Sequence, residues 1–143
     1  HRIELVREVN GVKYYNDSIA SSPTRTIAGL KAFDRKVHLI AGGYDKHIPI
    51  EPLIAPLAEK AKFVVATGDT GLEVLQKLTV SGYPKKQTAY IGNFDDAVHF
   101  AVKTAKAGDT VLLSPAAASF DAFENFEVRG DTFKKIVNGF QKG

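Results

Sequence analysis

Apolar strand-like runs alternate with helical stretches, an Asn-Gly turn joins two alternating segments near the start, and small polar residues gather at strand ends. Together these predict an α/β fold: a Rossmann-like, mostly parallel sheet of about six strands with helices on both faces and an antiparallel edge hairpin. In chain order, "RIELVREV" (2–9) alternates as a strand, and "VKYY" (12–15) returns beside it across the "NG" at 10–11. Ser22 as cap, Pro23 at the first helical position and Ile27, Leu30 and Phe33 on one face predict a helix over 22–33. Buried strands are expected at 36–43, 62–68, 87–92 and 109–115, with Val64, Val65 and Leu112 in the core. Helices are expected at 52–61, 70–82, 94–106 and 129–141, the third capped by Asp95 and Asp96.

The chain has 143 residues, 44% hydrophobic and 24% charged, enough for one domain with a sizeable core. Its formal charge of +3 comes from 19 basic and 16 acidic residues interleaved along the whole length. So small and diffuse an excess is a solvated surface and argues against a nucleic-acid partner. There is no cysteine, which removes disulfide and thiolate chemistry, and no apolar run long enough to span a bilayer. A cytoplasmic setting is the default expectation. The sequence starts with His1 and contains no methionine, so it is expected to be a piece of a longer protein.

Ligands of parallel α/β sheets gather beyond the carboxyl ends of the strands. Those ends read "NDSIASSP" (16–23), "GGYDKHIP" (42–49), "ATGDTG" (66–71), "IGNFDD" (91–96) and "SPAAASFDAFENF" (114–126). Gly42, Gly43, Gly68 and Gly71 are read first as tight turns. No G-x-G-x-x-G and no Walker A sequence is present. Asp17 lies well before the Ser22 cap, so its carboxylate either makes an Asx-turn or serves a ligand. Lys46, just past a glycine pair, is either solvated or placed to hold a carboxylate or phosphate. His38, His47 and His99 fall on separate elements without metal-ligand spacing.

Taken together, "HRIELV", "NDSIASSPTRTIAGL", "GGYDK" and "LLSPAAASFDAFENFEVRGDTF" resemble, in order and spacing over the whole chain, the C-terminal domain of the Mur ligases, nearest to their D-glutamate-adding branch. The resemblance implies a cytoplasmic, ADP-forming amide ligase of peptidoglycan synthesis. In that chemistry ATP phosphorylates the carboxylate of UDP-N-acetylmuramoyl-L-alanine and the amine of D-glutamate attacks the acyl phosphate. It also implies that ATP and Mg2+ are held mainly by a central domain outside this sequence, so that the fragment alone is inactive.

Carried over residue by residue, Arg2 and Asp17 resemble the groups that reach ATP. Ser21 and Lys46 resemble those that hold the α-carboxylate of D-glutamate, and Ser119 with the backbone at Phe126 resembles the holder of its side-chain carboxylate. The alanine run is then expected to let this loop approach the amino acid. Two positions depart from the family's pattern: Ile19 stands where many relatives have lysine, and Ser21 where they have threonine. "SPAAAS" likewise replaces a form with a central cysteine. The Asp-Asn-Pro-Arg signature of the diaminopimelate- or lysine-adding branch is absent. The alternatives are a folylpolyglutamate-type ligase domain and a stand-alone α/β ligand-binding or regulatory domain.

Overall fold

The computed structural model describes residues 1–120 and 122–140. Strands β1 (Glu4–Val9), β2 (Val12–Asn16), β3 (Val37–Ala41), β4 (Ala61–Ala66), β5 (Thr88–Tyr90) and β6 (Thr110–Leu113) form one sheet in the order β1-β2-β6-β3-β4-β5. β1 and β2 are the antiparallel hairpin, with Val9 opposite Val12, and every other pairing is parallel. Helices α1 (Pro23–Lys31), α2 (Glu51–Lys60), α3 (Gly68–Val80), α4 (Phe94–Thr104) and α5 (Phe126–Asn138) cover it. The expected six-strand α/β architecture is therefore the observed one. Among the described residues no helix is long and apolar enough to cross a membrane.

Period-two alternation divides the core between the two faces. Val37, Leu39, Val64 and Leu112 point to one face and pack with Leu30 of α1, Leu53 and Leu57 of α2 and Val74 and Leu78 of α3. Ile40, Val65, Val111 and Leu113 point to the other and meet Phe94, Ala97, Val98 and Ala101 of α4 and Phe133 and Val137 of α5. Both faces being buried explains the near-continuous apolar runs of β3, β4 and β6. His38, at the opposite end of β3 from the strand-end loops, stacks on Phe63 and lies 3.6 Å from Asp109.

Helix α3 begins at Gly68 rather than 70, and two further helices take asparagine caps that the sequence did not single out. The cap of α4 is Asn93, whose side chain accepts from the Asp96 N–H at 3.0 Å; Asp95 and Asp96 occupy the first turn, where their charge suits the helix dipole. Helix α5 begins at Phe126 rather than 129, because extended Asn125 caps it by accepting from Val128 N–H at 2.9 Å. The expected end of that helix at 141 lies outside the described residues.

Candidate functional site

The chain reverses crossover direction within this sheet. β2 and β3 are followed by α1 and α2 on one face, whereas β6, which lies between those two strands, is followed by α5 on the other face. Loops leaving adjacent strands in opposite directions open a crevice at the carboxyl ends, the usual place for a ligand in such sheets. The loops carrying Asp17 and Ser21, Lys46, and Ser119 and Phe126 are those three.

Backbone contacts lock the loops together. Gly42 donates to the Pro115 carbonyl and Tyr44 to the Ala118 carbonyl, each at 2.8 Å, while Ala116 donates to the Ala20 carbonyl at 2.9 Å. A Cβ on Gly43 would stand 2.5 Å from the Ala118 carbonyl oxygen, so this position needs glycine for close packing. Ala116 holds φ at 58°, a left-handed conformation disfavoured for any residue with a Cβ and least crowded for a small one. The small side chains of the alanine run thus bring three loop backbones into contact with one another.

Arg129 sits at the centre of this arrangement and is 2% exposed. Its Nε donates to Ser18 Oγ at 3.0 Å, Nη1 to the Ala117 carbonyl at 2.9 Å and Nη2 to the Ser18 carbonyl at 2.8 Å. Nη2 also reaches Ser21 Oγ at 3.5 Å, and Ser18 Oγ in turn donates to the Phe126 carbonyl at 2.6 Å. Ser21, the Ser119 loop and the start of α5 are therefore held by one guanidinium. Arg129 carries no motif of its own in the sequence, yet its position on the helix marks it. Residues 129, 133 and 137 share one helix face, so an arginine there belongs to the stripe that carries Phe133 and Val137 into the core.

Ser119 is buried, and its carbonyl accepts from the Ala122 and Phe123 N–H groups. The turn is made by that carbonyl and not by the hydroxyl. Phe126 is the first residue of α5, so its N–H is one of those that a helix leaves unpaired. Its ring is half-buried and meets His1 edge-on rather than lying in the core. Lys46 is exposed, with Nζ 5.2 Å from the centroid of the Phe120 ring.

Arg2 and Asp17 share a separate cavity of about 60 Å³, lined also by Ile19 and Arg25. The Asx-turn at this strand end belongs to Asn16, which accepts from Ser18 N–H at 3.0 Å. Asp17 is 3% exposed and accepts from Ile3 N–H at 3.2 Å and from Ser114 Oγ at 2.8 Å. Ile3 has φ at 44°, an unfavourable conformation for a β-branched residue, and its bond to Asp17 holds the backbone that carries Arg2. Burial raises the Asp17 carboxyl above its ordinary range, opposed by the bonds from Ser114 and Ile3 and by the charge of Arg2. Arg25, also unremarked in the sequence, supplies a second cation at the cavity that Ile19 helps to line.

Asp17→Asn tests whether this carboxylate is structural or serves a ligand. The amide oxygen can keep the Ile3 bond, and the amide nitrogen can donate to Ser114 Oγ, whose proton then turns to Thr26 Oγ1 3.0 Å away. Stability at neutral pH should therefore hold within about 1 kcal/mol. A raised carboxyl pKa contributes stability below the unfolded value of 3.8 that is lost as pH rises through the folded value. Denaturant titrations should show this loss in the parent and not in the variant. If Asp17 serves a nucleotide, as the resemblance implies for ATP, the dissociation constant for ATP of the longer protein should rise roughly tenfold. An unchanged constant in a stable variant would leave Asp17 purely structural.

Three strand-end loops interlocked at a crossover reversal, carrying a lysine, two serines and a helix start, are the arrangement at which open α/β sheets commonly take ligands. The chain belongs to the Mur ligase, glutamate ligase domain family, whose model matches residues 1–117. It is 54% identical, over 99% of its length, to the UDP-N-acetylmuramoylalanine–D-glutamate ligase of Clostridium acetobutylicum, and 53% identical over 99% to that of Acetivibrio thermocellus. The chain spans 31% of the length of either relative. In fold it is similar to the murein peptide ligase of Psychrobacter arcticus, with a TM-score of 0.63 at 20% identity over 98% of this chain and 30% of that one. It is similar too to a Mycobacterium tuberculosis folylpolyglutamate synthase complexed with ADP, with a TM-score of 0.65 at 14% identity over 99% of this chain and 33% of that one.

Proposed function

We propose that this chain is the amino-acid-binding domain of a cytoplasmic UDP-N-acetylmuramoyl-L-alanine:D-glutamate ligase of peptidoglycan synthesis. It is supported by Ser21, Lys46, Ser119 and Phe126 lying on three strand-end loops, the first and third tied by Arg129 and the second bonded to the third through the Tyr44 N–H. Identity of about half to ligases of that name over the whole chain supports it.

In this proposal ATP transfers its γ-phosphoryl group to the carboxylate of UDP-N-acetylmuramoyl-L-alanine, and ADP leaves. The D-glutamate nitrogen attacks the acyl carbon, phosphate departs with the bonding electrons, and the nitrogen loses a proton. This chain orients the nucleophile: Lys46 and Ser21 hold the α-carboxylate, while Ser119 Oγ and the Phe126 N–H hold the side-chain carboxylate. Fixing both ends places the amine and lowers the entropic part of the barrier. Arg2, with Asp17 behind it, faces the phosphates of ATP. Among the described residues no group of three or more His, Asp or Glu side chains stands together.

Ser119→Ala in the intact ligase tests the two-carboxylate grip. Loss of a buried donor to a carboxylate costs about 1–3 kcal/mol, so kcat/KM for D-glutamate should fall roughly five- to a hundredfold. D-Glutamine, which lacks the second charge, should lose much less, narrowing the preference between the two. Because the Ser119 turn uses its carbonyl, the melting temperature should stay near the parent value. An unchanged preference would remove Ser119 from the site.

A further inference from the structure

Phe120 is 59% exposed, far more than a phenylalanine recruited to a core. It follows Ser119 directly, and its ring has two close companions. The Tyr44 ring meets it edge-on, with centroids 5.9 Å apart and planes at 69°, and Lys46 Nζ lies 5.2 Å from its centroid. Neither neighbour arrives by chance. Tyr44 is pinned to the Ser119 loop through its N–H bond to the Ala118 carbonyl, their backbones forming an isolated antiparallel bridge. Beyond it the chain turns tightly: Asp45 accepts from His47 N–H at 2.7 Å, and His47 takes φ of 60°. Lys46 thus leaves a backbone fixed on both sides, and the Phe120 face lies within cation–π distance of its ammonium.

An ammonium on a four-carbon stem is a poorly preorganised ligand, since its rotamers must be ordered whenever it grips a carboxylate. A ring face under one side of the ammonium restricts those rotamers and leaves the remaining N–H groups directed away from the ring. We propose that Phe120 is a positioning residue for the amino-acid substrate. Its ring holds Lys46 in the orientation that receives the α-carboxylate, while the preceding residue, Ser119, receives the side-chain carboxylate. One loop then sets the spacing between both grips and selects an acidic amino acid of one length. This inference rests on the proposed role of Lys46 and adds to it a residue that touches no substrate.

The test is a double-mutant cycle in the intact ligase with Lys46→Ala, Phe120→Leu, Phe120→Trp and the Lys46→Ala/Phe120→Leu pair. Leucine keeps apolar bulk but has no π face. An exposed cation–π contact corresponds to roughly a two- to fivefold effect. Phe120→Leu should therefore raise KM for D-glutamate by about that factor, leaving KM for ATP and kcat at saturating D-glutamate near the parent values. Phe120→Trp should restore the parent KM, and Phe120→Leu should add nothing once Lys46 is alanine. A merely structural Phe120 would alter kcat, ATP and melting temperature together and would act equally in both backgrounds, overturning the inference. So would a silent Phe120→Leu, or one that lowers KM, when Lys46→Ala raises it. If Lys46→Ala itself leaves KM for D-glutamate unchanged, the role given to Lys46 fails and the inference falls with it.

Discussion

Arg129→Met should lower the melting temperature by on the order of 10 °C, the largest stability loss expected from any single change near the site. Methionine matches the stem in length and apolar character, so the volume of the buried segment is largely kept. What disappears is the guanidinium and its donors. The carbonyls of Ser18 and Ala117 lose partners at 2.8 and 2.9 Å. Buried acceptors left unpaired cost about 1–3 kcal/mol each, so the pair accounts for about 2–6 kcal/mol. Arg129→Lys should rescue little, because one ammonium cannot reach groups on three sides at once. The consequence extends to binding: without Arg129, Ser21 and the Ser119 loop lose their common anchor, and affinity for the amino acid should fall even well below the melting temperature. Thermal melts of the parent, Arg129→Met and Arg129→Lys measure this. A shift of only a couple of degrees would show that the loops are held by their backbone bridges alone.

The fold was legible because both faces of its sheet are buried, which makes β3, β4 and β6 stand out as apolar runs and spaces the helices between them. The hairpin was legible from Asn10-Gly11, both at positive φ as its turn requires. The missed cap at Asn93 had a local cause, since Asp95 and Asp96 offered an acidic start two and three residues further on. The late start given to α5 had a larger effect: it hid Asn125 as a cap and put Arg129 at a helix end rather than on a buried stripe. Asp17 was singled out, but its partners Ile3 and Ser114 are distant in sequence, so neither its burial nor the strain it maintains could be read from its neighbours. The alanine run was read as making room for a ligand, whereas its backbone mainly packs against two other loops. That packing is a tertiary fact, and spacing alone does not encode it.

If this domain supplies the amino-acid site, Lys46→Ala in the intact ligase reveals it most directly. A charge-assisted hydrogen bond to a carboxylate is worth about 1.5–3 kcal/mol, roughly ten- to a hundredfold in affinity. The exposed side chain of Lys46 carries little of the fold, so stability should be unaffected. Steady-state kinetics with each substrate varied in turn should give a KM for D-glutamate raised at least tenfold and a KM for ATP within about twofold of the parent. A raised KM for ATP with D-glutamate unchanged would assign Lys46 to the nucleotide and contradict the account.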